Sequence, residues 1–409
     1  MEQQVKFEQV IKCGCGIDVH KKTVVATIRR SDTDFETREF NTYTRSLKSL
    51  REWCKSEGVT HTAMESTGIY WKPVFNILEE DFEIILVNAR HIKNVPGHKT
   101  DKKDSRWISK LLLSGLLKGS FIPPREIREL RDLVRYKKKI VGQIASEKNR
   151  IIKMLEDANI KLSSVFSDVS GASASKMILD LIEGKDDIDG LMKHIHGKVQ
   201  APRPEIRQAL EGTLSEHHRF MLKIIKESID EKEKIIEKLE KQIEKAAEQY
   251  TVEIDLLQTI PGVGKESAVR IISEIGVDMS RFPNEHHLSS WAGVSPGNNE
   301  SAGKKKSARI IHGNKYLQST LVECGWGATR KKEGYLKRKY ESLVARRGKK
   351  KALIAVGHKI IESAYLIIKN KENYKEPLLN SNPKGKNRKI KNYMAKLKEL
   401  GIEVEIKVA

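Results

Sequence analysis

Asp18, Glu65, Asp101 and Asp104 are the residues whose types and spacing could do chemistry. Asp18 ends an apolar strand-like run, CGID, and Glu65 ends another, HTAME. Asp101 and Asp104 lie three apart in TDKKDSRWISKLLLSGLL, which reads as a helix start. Residues three apart share one face of a helix, so both can point at one ion. Hard carboxylate oxygens suit Mg²⁺. Two such ions ~4 Å apart would clamp a phosphate and stabilise the attacking and leaving oxygens. Taken singly, each carboxylate is as ordinary as a cap or a surface group; the combination carries the reading.

A second candidate is Ser301, in PGNNESAGKKKSARIIHGN. Serine among Asn, Gly and Pro is by default a turn residue. Here Lys304, Lys305, Lys306, Arg309 and Lys315 crowd the same segment and could neutralise a scissile phosphate. A serine hydroxyl beside them could attack phosphorus and hold the bond energy as a phosphoserine ester. Glu300 is the one proton acceptor near in sequence, so a base from elsewhere in space is expected. His286, His287 and His312 lack metal-ligand spacing and read as surface or capping residues.

The elements that must position these groups divide the chain. Residues 13–118 read as an α/β domain. CGIDVH, TVVATIRR and FETREF are successive strands, LKSLREWCKSEG an amphipathic helix ended by Gly58, and VTHTAME and FEIILVN further strands. IYWKPVFNILEE is a helix, and another follows Thr100. A mixed sheet flanked by helices follows, with the candidate ligands at strand ends, where open α/β sheets place their sites. Tyr70, Trp71 and Trp107, beside the acidic motifs, read as core.

Residues 119–250 read as helical. A very basic helix runs from Glu126 to Asp157, shorter segments fill 165–212, and a long helix runs from Leu214 to Tyr250. Leu222, Ile225, Ile229, Ile236, Leu239, Ile243 and Ala246 recur in steps of 3 and 4, interrupted by Lys232. An intramolecular hairpin with 126–157 and a coiled coil between protomers both fit. Residues 251–370 form a mainly helical third unit, opened by LLQTIPGVGKESAVRIISEIG, a helix-hairpin-helix pattern. Backbone amides at Gly262 and Gly264, with Lys265 on the next helix, can hold a DNA phosphate. Residues 371–409 read as a basic tail with GIEVEIKVA as a possible strand.

Composition agrees with a nucleic-acid partner. The 409 residues carry 76 Lys and Arg against 55 Asp and Glu, a formal net charge of +21. Lys99, Lys102 and Lys103, beside the acidic pair, are further candidate nucleic-acid contacts. The 4 cysteines are too few and scattered for a disulfide framework. No stretch reaches the ~20 apolar residues that span a bilayer, so no membrane partner and a cytoplasmic, nucleoid-associated setting are expected.

These motifs resemble a known family. GIDVHKKTVVATI, AMESTGIYWKPVFNILEE and VNARHIKNVPGHKTDKKDSRWISKLL are similar to the RuvC-like N-terminal domain of DEDD-type insertion-sequence transposases. IPGVGKESAVRIISEIG, the segment around Ser301 and YLKRKYESLVARRGKKKALIAVGHKIIESAYLIIKNKENYKE resemble their C-terminal domain. Ala302 follows Ser301 where many members have glycine. The resemblance implies an RNase-H/RuvC-like α/β domain, a helical coiled-coil insertion and a mainly α-helical C-terminal domain. It implies that Asp18, Glu65, Asp101 and Asp104 hold Mg²⁺ and that Ser301 is the nucleophile that links to DNA. It further implies a dimer or tetramer, DNA partners at element ends and target, and a guide RNA that reads sequence by pairing. Two rivals stay open: a RuvC-like nuclease that uses water, and a non-catalytic DNA- or RNA-binding protein.

Overall fold

The computed structural model describes residues 9–66, 68–87, 104–196, 199–297, 299–301, 304–307, 309–377 and 393–401, with backbone alone at 299–301 and 304–307. The chain forms two compact units, Met1–Ile122 and Pro123–Ala409.

In the first unit β1 (Gly14–Val19), β2 (Thr23–Arg29), β3 (Phe35–Asn41), β4 (His61–Glu65) and β5 (Glu83–Val87) form one sheet in the order β3-β2-β1-β4-β5. The first three strands pair antiparallel, while β4 runs parallel to β1 and β5 parallel to β4. One face carries Ile17, Val24, Ala26, Ile28 and Met64. It packs on α1 (Thr44–Ser56) through Leu47, Leu50 and Trp53, and on α2 (Trp71–Leu78) through Val74 and Leu78. The opposite face is covered by α3 (Asp104–Leu113), whose Ile108 and Leu112 meet Ala63. Such a mixed sheet between helices is compatible with a RuvC-like α/β domain.

In the second unit a helical arm is built from α4 (Arg125–Asp157) and α5 (Glu216–Ala247). Ile140, Ile144, Ile151 and Leu155 of α4 share a core with Leu222, Ile225 and Ile229 of α5. The ion pairs fix an antiparallel register: Lys137 meets Glu240 at 2.8 Å, Lys232 meets Glu147 at 3.8 Å and Asp157 meets His218 at 2.9 Å. The heptad-spaced helix thus packs in a hairpin with 125–157 of the same chain. Lys232, the interruption in that pattern, is half-buried and also donates to Ser228. Short helices at Ala172–Ile182, Ile188–Met192 and Arg203–Ala209 close the far end of the arm.

The rest of the unit is mainly helical. Helices α6 (Thr251–Gln258) and α7 (Lys265–Ile275) form the expected helical hairpin, packed with α8 (Lys315–Thr329) and the buried α9 (Lys349–Asn370). No helix among the described residues is long and apolar enough to cross a membrane.

Candidate active site at the carboxylate end of the sheet

The register brings Asp18 and Glu65 together. β1 and β4 run parallel with Gly14 beside His61 and Ile17 beside Met64. One further step places Asp18 alongside Glu65, at the C-terminal ends of both strands. Side chains alternate across a strand. Because Ile17 and Met64 point into the core beneath α1 and α2, Asp18 and Glu65 occupy the α3 face.

Asp104 is delivered to the same end by the direction of α3. A Cβ on Gly16 would lie 2.3 Å from the Ser105 carbonyl oxygen and 2.3 Å from the Ser109 nitrogen; one on Gly14 would lie 2.8 Å from Leu112 Cδ2. As β1 descends from residue 16 to 14, α3 advances from 105 to 112, so the two run antiparallel. The first residue of α3, Asp104, therefore faces the end of β1 that bears Asp18. A polar seam fixes this seat: the Thr27 and Ser105 hydroxyls lie 2.8 Å apart, and Arg29 Nε donates to Ser109 Oγ at 3.1 Å. An acidic residue in the first turn also suits the positive end of the helix dipole.

The electrostatics mark Asp18. Burial pushes its carboxyl above the usual range and the charge of Glu65 pushes it the same way, while His20, with Nε2 at 3.0 Å, pulls it back. Glu65 is thus close enough for its charge to act on Asp18. Among the described residues no group of three or more His, Cys, Asp or Glu is gathered closely enough to hold a metal ion. Asp101, Lys99, Lys102 and Lys103 lie outside the described residues.

Gly16, Thr27, Ser105 and Ser109 are positioning residues that motif reading missed. The signal was present: glycine at every second position of GCG leaves one strand face bare for a closely packed helix. Gly16→Ala is expected to cost about 1–3 kcal/mol of stability, because its methyl would meet backbone rather than a side chain that can swing away. Chemical denaturation checks this, and a shift in α3 should lower any Asp104-dependent activity as well.

The Ser301 segment differs from the expected loop. β6 (Asn299–Ser301) and β7 (Lys304–Ser307) form an antiparallel ribbon in which Ser301 pairs with Lys304 and Glu300 with Lys305. Pairing continues below through Pro296 and Ile310, with Gly297 N donating to the Arg309 oxygen at 2.7 Å. The sequence gives no strand signal here because every position is polar or small and no alternation shows. Ser301 thus stands at the tip of the ribbon, with Lys304 its cross-strand neighbour and Lys305 and Lys306 following along β7. Arg309 is exposed, and exposed Lys315 opens α8, capped by Asn314.

The helical hairpin is partly a packing device. A Cβ on Gly262, which has φ +88°, would lie 2.3 Å from the Cys324 oxygen and 2.5 Å from the Ala328 nitrogen, so this glycine lets the turn press against α8. Gly264 is open and caps α7. Lys265 is largely exposed and pairs with Glu244 at 3.0 Å. His286 Nδ1 lies 3.1 Å from Glu362, and His287 Nδ1 lies 2.9 Å from its helix-capping Asn284. His312 is exposed. Trp71 packs edge-on against Phe75 at 5.6 Å beside the core, whereas Tyr70 is exposed.

Asp18 and Glu65 thus stand at the C-terminal ends of neighbouring strands of a mixed sheet. Two family domains match the chain. Residues 15–160 match the DEDD transposase domain of the IS110 type, described as Transposase, and residues 254–341 match a domain described as Transposase IS116/IS110/IS902 family. Together the two matches support an IS110 transposase, an enzyme that acts on DNA. No curated protein matches the chain.

Proposed function

We propose that this chain is an insertion-sequence transposase that cuts and rejoins DNA by phosphoryl transfer through a serine–DNA ester. The observation that carries the reading is the convergence of Asp18, Glu65 and Asp104 at one end of the sheet, in a chain with two IS110-type domains. The donor set is all carboxylate oxygen and includes a repelling pair, which fits a divalent cation such as Mg²⁺. Held by Asp18, Glu65, Asp104 and Asp101, the cation would supply charge stabilisation to the scissile phosphate.

The remaining roles belong to the chain's own residues. Ser301 Oγ attacks phosphorus, the phosphorus–oxygen bond to one DNA end breaks, and the freed end takes the proton from a base or water. Reversal on a new DNA end restores the serine, so rejoining needs no ATP. Lys304, Lys305, Lys306, Arg309 and Lys315 offset phosphate charge beside Ser301. Gly262, Gly264 and Lys265, with Lys99, Lys102 and Lys103, hold the DNA backbone. An element-encoded guide RNA and assembly into a dimer or tetramer complete this reading.

The test is a denaturing gel of end-labelled element-junction DNA incubated with protein, Mg²⁺ and guide RNA. A band at protein-plus-DNA mass that disappears in Ser301→Ala, with nucleic-acid binding kept, is the expected result. Cleaved DNA without adduct, still produced by Ser301→Ala, would instead favour a RuvC-like nuclease that uses water. That second reading draws on the carboxylate end of the sheet, which is built within the first unit without Ser301.

A further inference from the structure

An open groove of about 840 Å³ lies between the edge strand β3 and α1, lined by Arg38, Thr44, Arg45, Lys48, Ser49 and Trp53 among others. Arg38 pairs with Ala26, whose side chain lies in the core beneath α1, so the groove is on the α1 face of the sheet. Asp18 and Glu65 are on the opposite face.

The charges here oppose ordinary helix design. Cations are unfavourable at a helix N-terminus and anions favourable. Yet α1 begins Thr44-Arg45-Ser46-Leu47-Lys48, has no acidic residue in its first turn and receives no side-chain cap from Tyr43. Arg45 and Lys48 are exposed and form no ion pair among the described residues, while Glu52 at the rim is taken by Arg51 at 3.0 Å. Trp53, which lines the groove, is only 6 % exposed, and its buried indole N–H has no hydrogen-bond partner among the described residues. Its ring lies beneath Arg38, 4.5 Å from the guanidinium carbon. The exposed Arg45 and Lys48, with Arg38, give the groove lining an excess of positive charge over its carboxylate, Glu52.

We infer that this groove binds the phosphodiester backbone of a nucleic-acid strand other than the one presented to the carboxylates. The inference rests on the proposed function only in taking nucleic acid as the source of phosphate. The opposite placement of groove and carboxylates means that one phosphate cannot serve both, so the groove anchors a distal segment of the bound DNA or its RNA guide.

The test uses the full chain and labelled duplex DNA, and RNA of the same sequence, in fluorescence anisotropy across a salt series. Arg45→Ala/Lys48→Ala places a good helix former at two exposed positions, so the fold should be retained. Lys234→Ala/Lys238→Ala, exposed on α5, is the charge-matched control. Loss of two phosphate contacts flattens the slope of log K against log salt for duplex DNA by about 1.8 and weakens binding roughly tenfold. The groove variant should show this and the control should not. Loss confined to RNA, or confined to DNA, supports the groove and names the source of the phosphate. Wild-type affinity and slope in the groove variant, or an equal fall in the control, overturns the inference and leaves the transposase reading intact. Wild-type protein that binds neither nucleic acid overturns both.

Discussion

Asp18→Asn protein is expected to lose DNA cleavage by at least about a hundredfold while its fold becomes no weaker. A metal ligand contributes several kcal/mol to the transition state, and each 1.36 kcal/mol is about tenfold in rate. Stability should move the other way. Burial, and then the charge of Glu65, raise the Asp18 carboxyl above its ordinary range, against the pull of His20. A carboxyl whose folded pKa lies above its unfolded one binds its proton more tightly in the folded chain. Its stabilising contribution is present at pH below the ordinary carboxylate range and is lost as pH rises through the raised value. At neutral pH the ionised group is therefore a cost, which Asn removes at nearly equal shape. Thermal melts in metal-free buffer should give Asp18→Asn a Tm equal to or above that of wild type. Added Mg²⁺ should raise the Tm of the wild type alone, by mass action on the folded state. Equal Mg²⁺ shifts in both proteins, or an undiminished cutting rate, would remove Asp18 from the site.

Glu274→Ala should destabilise the second unit by about 3–5 kcal/mol, the range for breaking a buried ion pair from one side. Glu274 is 2 % exposed at the end of α7. Arg135 grips it with Nε and Nη2, both at 2.8 Å, and Asn314 Nδ2 donates to it at 2.6 Å. Arg131 donates to the backbone oxygens of Ser273 at 2.9 Å and Glu274 at 2.6 Å. Burial brings the Arg131 guanidinium down to about 10, opposed by the charge of Glu274, so removal of the carboxylate leaves a buried cation with less compensation. The same residues tie α4 to α7 and to the capping residue of α8, because Asn314 Oδ1 accepts from Tyr316 N and Leu317 N. One substitution should thus loosen the joint between the helical arm and the helices that follow it. Urea titration measures the loss. A change under about 1 kcal/mol would show that packing, not this network, holds the arm.

Much of the fold was legible because strand and helix periods are local. CGIDVH, TVVATIRR, FETREF, VTHTAME and FEIILVN alternate or run apolar, and each is a strand in the structure. The long heptad-spaced helix was legible for the same reason. Its partner was not, since an apolar stripe fits a second segment of the same chain as well as a second copy. The ion pairs along α4 show the register of the hairpin within the chain. The Ser301 ribbon left no trace because its strands are polar on both sides.

The sequence by itself determined the residue types: carboxylates at strand ends and at a helix start, a serine among lysines, and a strong excess of positive charge. Only the tertiary structure decided which of these meet. Strand register sets Asp18 beside Glu65, and bare glycines on one face of β1 let α3 descend antiparallel and carry Asp104 to the same end. Register and close helix packing join residues far apart in the chain, so no local pattern encodes them.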